Sequence, residues 1–112
     1  MKALLTVLMI LFLGNVAAAQ VVTLSGSQKR VPGSNAELES KTVKITKTKT
    51  IISVTGHHNG FWIVKNGKQE KAFWNEKQSA DAVGYKLAKG DYQVYPNIKS
   101  GENYADITIK LQ

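Results

Sequence analysis

Trp62, Trp74 and Tyr95 are the side chains of this sequence best suited to recognition chemistry, with Lys65 and Lys71 close by in the chain. Flat aromatic rings stack on the faces of sugar rings, and ammonium groups beside them meet acidic substituents. Whether these rings can serve depends on which way they point. Successive side chains of a strand take opposite faces. With Phe61, Ile63, Phe73, Tyr92 and Val94 expected inward, Trp62, Trp74 and Tyr95 fall on outer faces. An exposed apolar patch of this kind has two uses. It can hold a ligand such as a polysaccharide, or it can be covered by a second copy of the chain or by a secreted partner.

The other reactive residue types make a weaker case. His57 and His58 are the only histidines, and neighbours on a strand end point apart, so they are expected as a solvated turn and not as a metal pair. No Gly-x-Ser-x-Gly frame places a serine at a strained turn, and eight scattered carboxylates form no recognisable acid/base pair. The chain therefore reads as non-enzymatic, with no cofactor motif. Asp81, Asp91, Glu102 and Asp106 could gather around a calcium ion in loops, but they lack the spacing of a calcium-binding loop. Thr42, Thr46, Thr48 and Thr50 fit ordinary outward strand positions.

These residues sit in a chain with an export signal at its start. Lys2 precedes an apolar run, and Ala17-Ala18-Ala19 closes it, the order of a secretory signal peptide. The apolar run falls short of the roughly 20 residues a membrane span needs. Cleavage is expected between Ala19 and Gln20, which gives a secreted or periplasmic mature chain. That chain has no cysteine and must be stabilised by packing alone. Fifteen basic residues against eight acidic ones give a net charge of +7. Losing Lys2 leaves about +6, a field that suits acidic partners and also solubility. A secreted address makes nucleic acid an unexpected partner.

Residues 20–40 read as a loop-rich arm, with a weak strand at 20–24, Pro32-Gly33 punctuation and a short amphipathic helix over 36–40. Val43 and Ile45 mark a half-buried strand, with a turn or bulge near Lys47-Thr48. Asn59-Gly60 and Asn66-Gly67 then separate runs of β-branched and aromatic residues. That pattern predicts a three-stranded meander over about 50–56, 61–65 and 68–74, because Asn-Gly accepts the positive φ of tight hairpin turns. One helical turn is expected near 79–82, a strand at 83–87, and a last strand with Ala105, Ile107, Ile109 and Leu111 inward. Leu87-x-x-Gly90-x-Tyr92-x-Val94 has the form of a tyrosine corner, in which the hydroxyl ties back to the preceding backbone.

Seven or eight short strands with regular turn signals give an all-β antiparallel sandwich over residues 41–112, immunoglobulin-like or jelly-roll-like. The Phe61-Trp62-Ile63-Val64 strand, the Asn-Gly turn, the Leu87-to-Val94 run and the final alternating strand together resemble bacterial secreted accessory domains of the prepeptidase C-terminal type. That resemblance spans roughly residues 40–112. It implies a β-sandwich that assists folding, secretion or substrate binding, and it assigns no site residue. The expectation is a secreted binding module for an envelope or extracellular component, most plausibly a polysaccharide. The alternative is a structural or protein-interaction sandwich that buries the aromatic face in a homodimer or on a secreted partner.

Overall fold

The computed structural model describes residues 20–112, so the signal peptide expected over residues 1–19 lies outside the described residues. Nine strands form among the described residues: β1 (Val22–Lys29), β2 (Glu37–Ser40), β3 (Val43–Ile45), β4 (Lys49–Thr55), β5 (Phe61–Lys65), β6 (Lys68–Phe73), β7 (Lys86–Leu87), β8 (Gly90–Pro96) and β9 (Tyr104–Leu111), the clearest apolar alternation being that of β8 and β9. Among the described residues one short helix, α1 (Glu76–Ala80), interrupts them. The strands build two antiparallel sheets, ordered β2-β1-β9-β4-β7 and β3-β8-β5-β6.

That order fixes the topology. With β2 set aside, the first strand pairs the last, β3 pairs β8, β4 pairs β7, and β5 pairs β6. A long hairpin folded over on itself in this way is a jelly roll. In an immunoglobulin sandwich the last strand would join the sheet of β5 and β8; here β9 lies between β1 and β4. Leu24, Ile51, Ile107, Ile109 and Leu111 from one sheet meet Ile45, Phe61, Ile63, Tyr92 and Val94 from the other, all buried. Burial of each large side chain contributes about 1.5–3 kcal/mol. Tyr92 makes the corner its spacing predicts, its hydroxyl donating to the Ala88 carbonyl at 2.6 Å.

Two expectations are corrected. Residues 22–29 and 37–40 are not a loop-rich arm with a helix. They are β1 and β2, and β1 pairs with β9 along its whole length. Where β3 ends, the free edge of β8 is met by side chains of this segment. Ser40 Oγ donates to the Ser25 carbonyl and accepts from the Val94 amide, and Gln28 Nε2 donates to the Pro96 carbonyl. Gly26 allows the contact, since a Cβ there would lie 1.8 Å from the Val94 carbonyl oxygen.

The meander is the second correction. Asn66-Gly67 does turn the β5–β6 hairpin, with φ of 51° and 82° at its two residues. Asn59-Gly60 turns no hairpin, because β4 belongs to the opposite sheet and the chain crosses the sandwich there. Gly60 is needed for close packing, since a Cβ would stand 2.2 Å from the Phe73 carbonyl. On the far side, α1 and the turn after it cover the gap between β6 and β7. Asn75 caps the helix by accepting from the Gln78 amide, and Gln78 Oε1 accepts from the Trp74 amide. The Asn75-x-x-Gln78 spacing is a helix-start signature in the sequence.

Candidate functional site

The outer face of the four-stranded sheet carries the aromatic residues. Trp62 on β5 sits directly opposite Tyr95 on β8, and Val64 sits opposite Gln93. Residues directly opposite in an antiparallel pair share a face, so these four form one patch, with Ala72 of β6 beside Trp62. The Trp62 and Tyr95 rings lie 5.5 Å apart, inclined by 33°. All five side chains are half-buried. Trp74 follows the end of β6 on the same alternation. It is 60 % exposed and touches no other ring among the described residues.

The two lysines are not part of that patch. Lys65 pairs with Tyr92, and Lys71 pairs with Ile63, both of them core residues, so each lysine starts out on the inner face. The Lys71 ammonium lies 5.6 Å from the centroid of the Phe73 ring, and the Lys65 stem packs against Gly90. Both reach solvent from the rim. β6 is an edge strand with an extra residue where Ile63 and Val64 oppose Lys71 and Gln69. Inward-starting lysines and a bulge are the features that keep such an edge from pairing with another chain. The expected aromatic-and-basic face is therefore aromatic and nearly neutral. Its charged members are Lys44 and Asp91, which sit opposite each other on β3 and β8.

A second group of functional side chains stands where the β4–β5 crossing, the segment before β9 and α1 meet. His57 is exposed, pairs through Nε2 with Glu102, and donates its amide to Asp106 Oδ1 at 2.7 Å. His58 points the other way and is buried, its ring edge-on to Phe61 at 6.0 Å. The solvated-turn expectation thus holds for His57 and fails for His58. Burial holds the His58 imidazole below the ordinary histidine range; nearby Glu76, Asp106 and the Gly60 backbone oppose this, and Lys99 reinforces it. Glu76 pairs with Lys99, which lowers the carboxyl and raises the ammonium. Of the four acids considered for calcium, Asp91 lies beside the Asn66 turn, and Glu102 and Asp106 are both engaged by His57. No group of three metal-capable side chains gathers among the described residues.

No family model, no curated protein and no solved structure matches this chain. The site has to be read from its own geometry. The outer aromatic face offers stacking area edged by hydrogen-bonding groups, the Tyr95 hydroxyl, the Trp62 indole N–H and Gln93, whose amide nitrogen also reaches the Ser40 carbonyl at 3.3 Å. A surface of that composition can hold flat, partly apolar ligand faces.

Proposed function

We propose that this protein is a secreted, non-enzymatic binding module that holds an envelope or extracellular polysaccharide against the outer face of the four-stranded sheet. The observation that carries the reading is the Trp62–Tyr95 pair, two large, half-buried rings in register on adjacent strands. Sugar rings present C–H-rich faces that stack on such aromatics. The position of Lys65 and Lys71 on the inner alternation narrows the ligand to a neutral polysaccharide. The resemblance to secreted accessory domains points the same way. A homodimer burying the same face is the competing reading, because an apolar patch suits an interface equally well.

Affinity electrophoresis of the mature protein through gels containing single neutral or anionic polysaccharides tests this. Retardation by a neutral polymer is expected. Trp62→Ala or Tyr95→Ala should weaken it by roughly two- to tenfold, the size of a lost ring-stacking contact. Lys65→Ala and Lys71→Ala should leave it unchanged. Retardation only by anionic polymers, lost with the lysines, would overturn the reading.

A further inference from the structure

Three connections meet at one end of the sandwich: the β3–β4 loop between Ile45 and Lys49, the β5–β6 turn at Asn66-Gly67, and the β7–β8 turn at Ala88-Lys89. The register gathers them, since Ile45 pairs with Gly90, Lys65 with both Lys68 and Tyr92, and Lys49 with Leu87. Lysines flank every one. Lys44, Lys47 and Lys49 border the first, Lys65 and Lys68 the second, and Lys86 and Lys89 belong to the third. Lys49 and Lys65 are half-buried and the others exposed. The carboxylates near them are Asp91, opposite Lys44, and Glu70 on β6. The ion pairs among the described residues, His57–Glu102 and Glu76–Lys99, stand at the other end, where Glu37 and Asp106 also lie. Positive charge is therefore concentrated at one end, on lysines that make no ion pair among the described residues.

We propose that this lysine-rich end docks on an anionic lipid bilayer, its ammonium groups meeting the phosphates of the headgroups. Lysines strengthen binding to such a surface only within about a Debye length of it, so charges gathered at one end act together and scattered ones do not. The shape selects a plane. These lysines come from both sheets and cap the end of the sandwich, so a flat surface reaches them jointly, whereas a single polymer strand would follow one turn and miss the others. The rings nearest this end turn inward, Tyr92 into the core and Tyr85 against Phe73, which leaves no stacking surface for bases or sugars and makes charge the means of recognition. The chain also enters β1 here, since Val22 pairs with Leu111 and Leu111 with Ile51. The signal peptide expected over residues 1–19 leads out from this end, so the lysines are the part of the domain that faces a bilayer during export. The aromatic face is a separate surface, and its ligand plays no part in this contact.

The test is co-sedimentation of the mature protein with vesicles of phosphatidylcholine alone and of phosphatidylcholine mixed with phosphatidylglycerol. Binding to the mixed vesicles only is expected, lost in molar salt, where the Debye length shrinks to about 3 Å. Lys47→Glu combined with Lys89→Glu should weaken binding by about 25-fold or more, since the loss of each lysine alone costs about fivefold. Lys29→Glu combined with Lys77→Glu changes the net charge equally at the opposite end and should weaken it by no more than about twofold. All four positions are exposed, so the variants keep the fold. Trp62→Ala and Trp74→Ala should leave binding intact. No preference for the mixed vesicles, equal losses in the two double variants, or loss with either tryptophan variant would overturn the proposal. So would release from the vesicles by alginate of matched negative charge, which would make the partner an anionic polymer.

Discussion

The two outer faces of this sandwich are built on the same alternation and carry opposite chemistry. On the five-stranded sheet, Ser25, Thr108 and Thr55 form a hydroxyl row across β1, β9 and β4, flanked by Thr23, Lys110 and Ser53. On the four-stranded sheet the corresponding outward positions are Trp62, Tyr95, Val64 and Gln93. Serine and threonine are what a solvated strand face ordinarily holds. Since the fold needs apolar residues only on its inner faces, the aromatic face is an addition the fold does not require. That excess is the argument for binding there.

The largest expected effect comes from forcing the two sheets apart. Gly26→Ala places a methyl group 1.8 Å from the Val94 carbonyl, where neither backbone can yield. The loss should reach or exceed the ~1–3 kcal/mol typical of overpacking, read as a lower urea midpoint. Binding on the aromatic face should then weaken only through unfolding. Next in size is Tyr92→Phe, which removes the bond to the Ala88 carbonyl. A loss of about 1 kcal/mol is expected, more if the carbonyl is left buried and unpaired.

The sharpest contrast exchanges residues between the faces. Trp62→Thr gives the aromatic face a residue typical of the other one, and should abolish polysaccharide retardation while costing about 0.5–1.5 kcal/mol, the worth of the Tyr95 ring contact. Thr108→Ala on the hydroxyl face should leave retardation unchanged and stability within about 0.5 kcal/mol. If the two variants behaved alike, the difference between the faces would have no functional meaning.

A smaller effect separates His58 from both faces. Burial lowers its folded-state pKa below that of the unfolded chain, so the unfolded state takes up the proton first as pH falls. Stability from this group is complete above the unfolded value of about 6.5 and declines toward the lower folded value, by no more than about 1.4 kcal/mol per pH unit. Denaturant titrations on either side of that window should show the decline, and His58→Phe should flatten it.

Much of the fold was legible in the sequence. The alternation from Ala105 to Leu111 and the Leu87-to-Val94 spacing both led to the structure seen, because each pattern is local and its side chains are buried on one face. Asn59-Gly60 misled because a glycine with positive φ serves close packing as well as a hairpin turn, and only the partner strand tells them apart. The weak strand expected at 20–24 caught the start of β1, and the rest of it was hidden because Ser25, Gly26, Ser27 and Gln28 are chosen for contacts with β8 and for solvent, not for burial. The aromatic pairing could be read from alternation. So could the inner placement of Lys65 with Ile63 and of Lys71 with Phe73, had parity been applied to the lysines as it was to the rings. The burial of His58 had no local signal, since the residues that enclose it are far apart in the chain.

One measurement bears most directly on the aromatic face. In Trp74→Phe the remaining tryptophan is Trp62, and acrylamide quenching of its fluorescence reports how open that face is. The account predicts appreciable quenching that does not change with protein concentration and falls when a neutral polysaccharide is added. Quenching that is weak in concentrated protein, grows on dilution and ignores every polysaccharide would contradict it, and would assign the aromatic face to self-association.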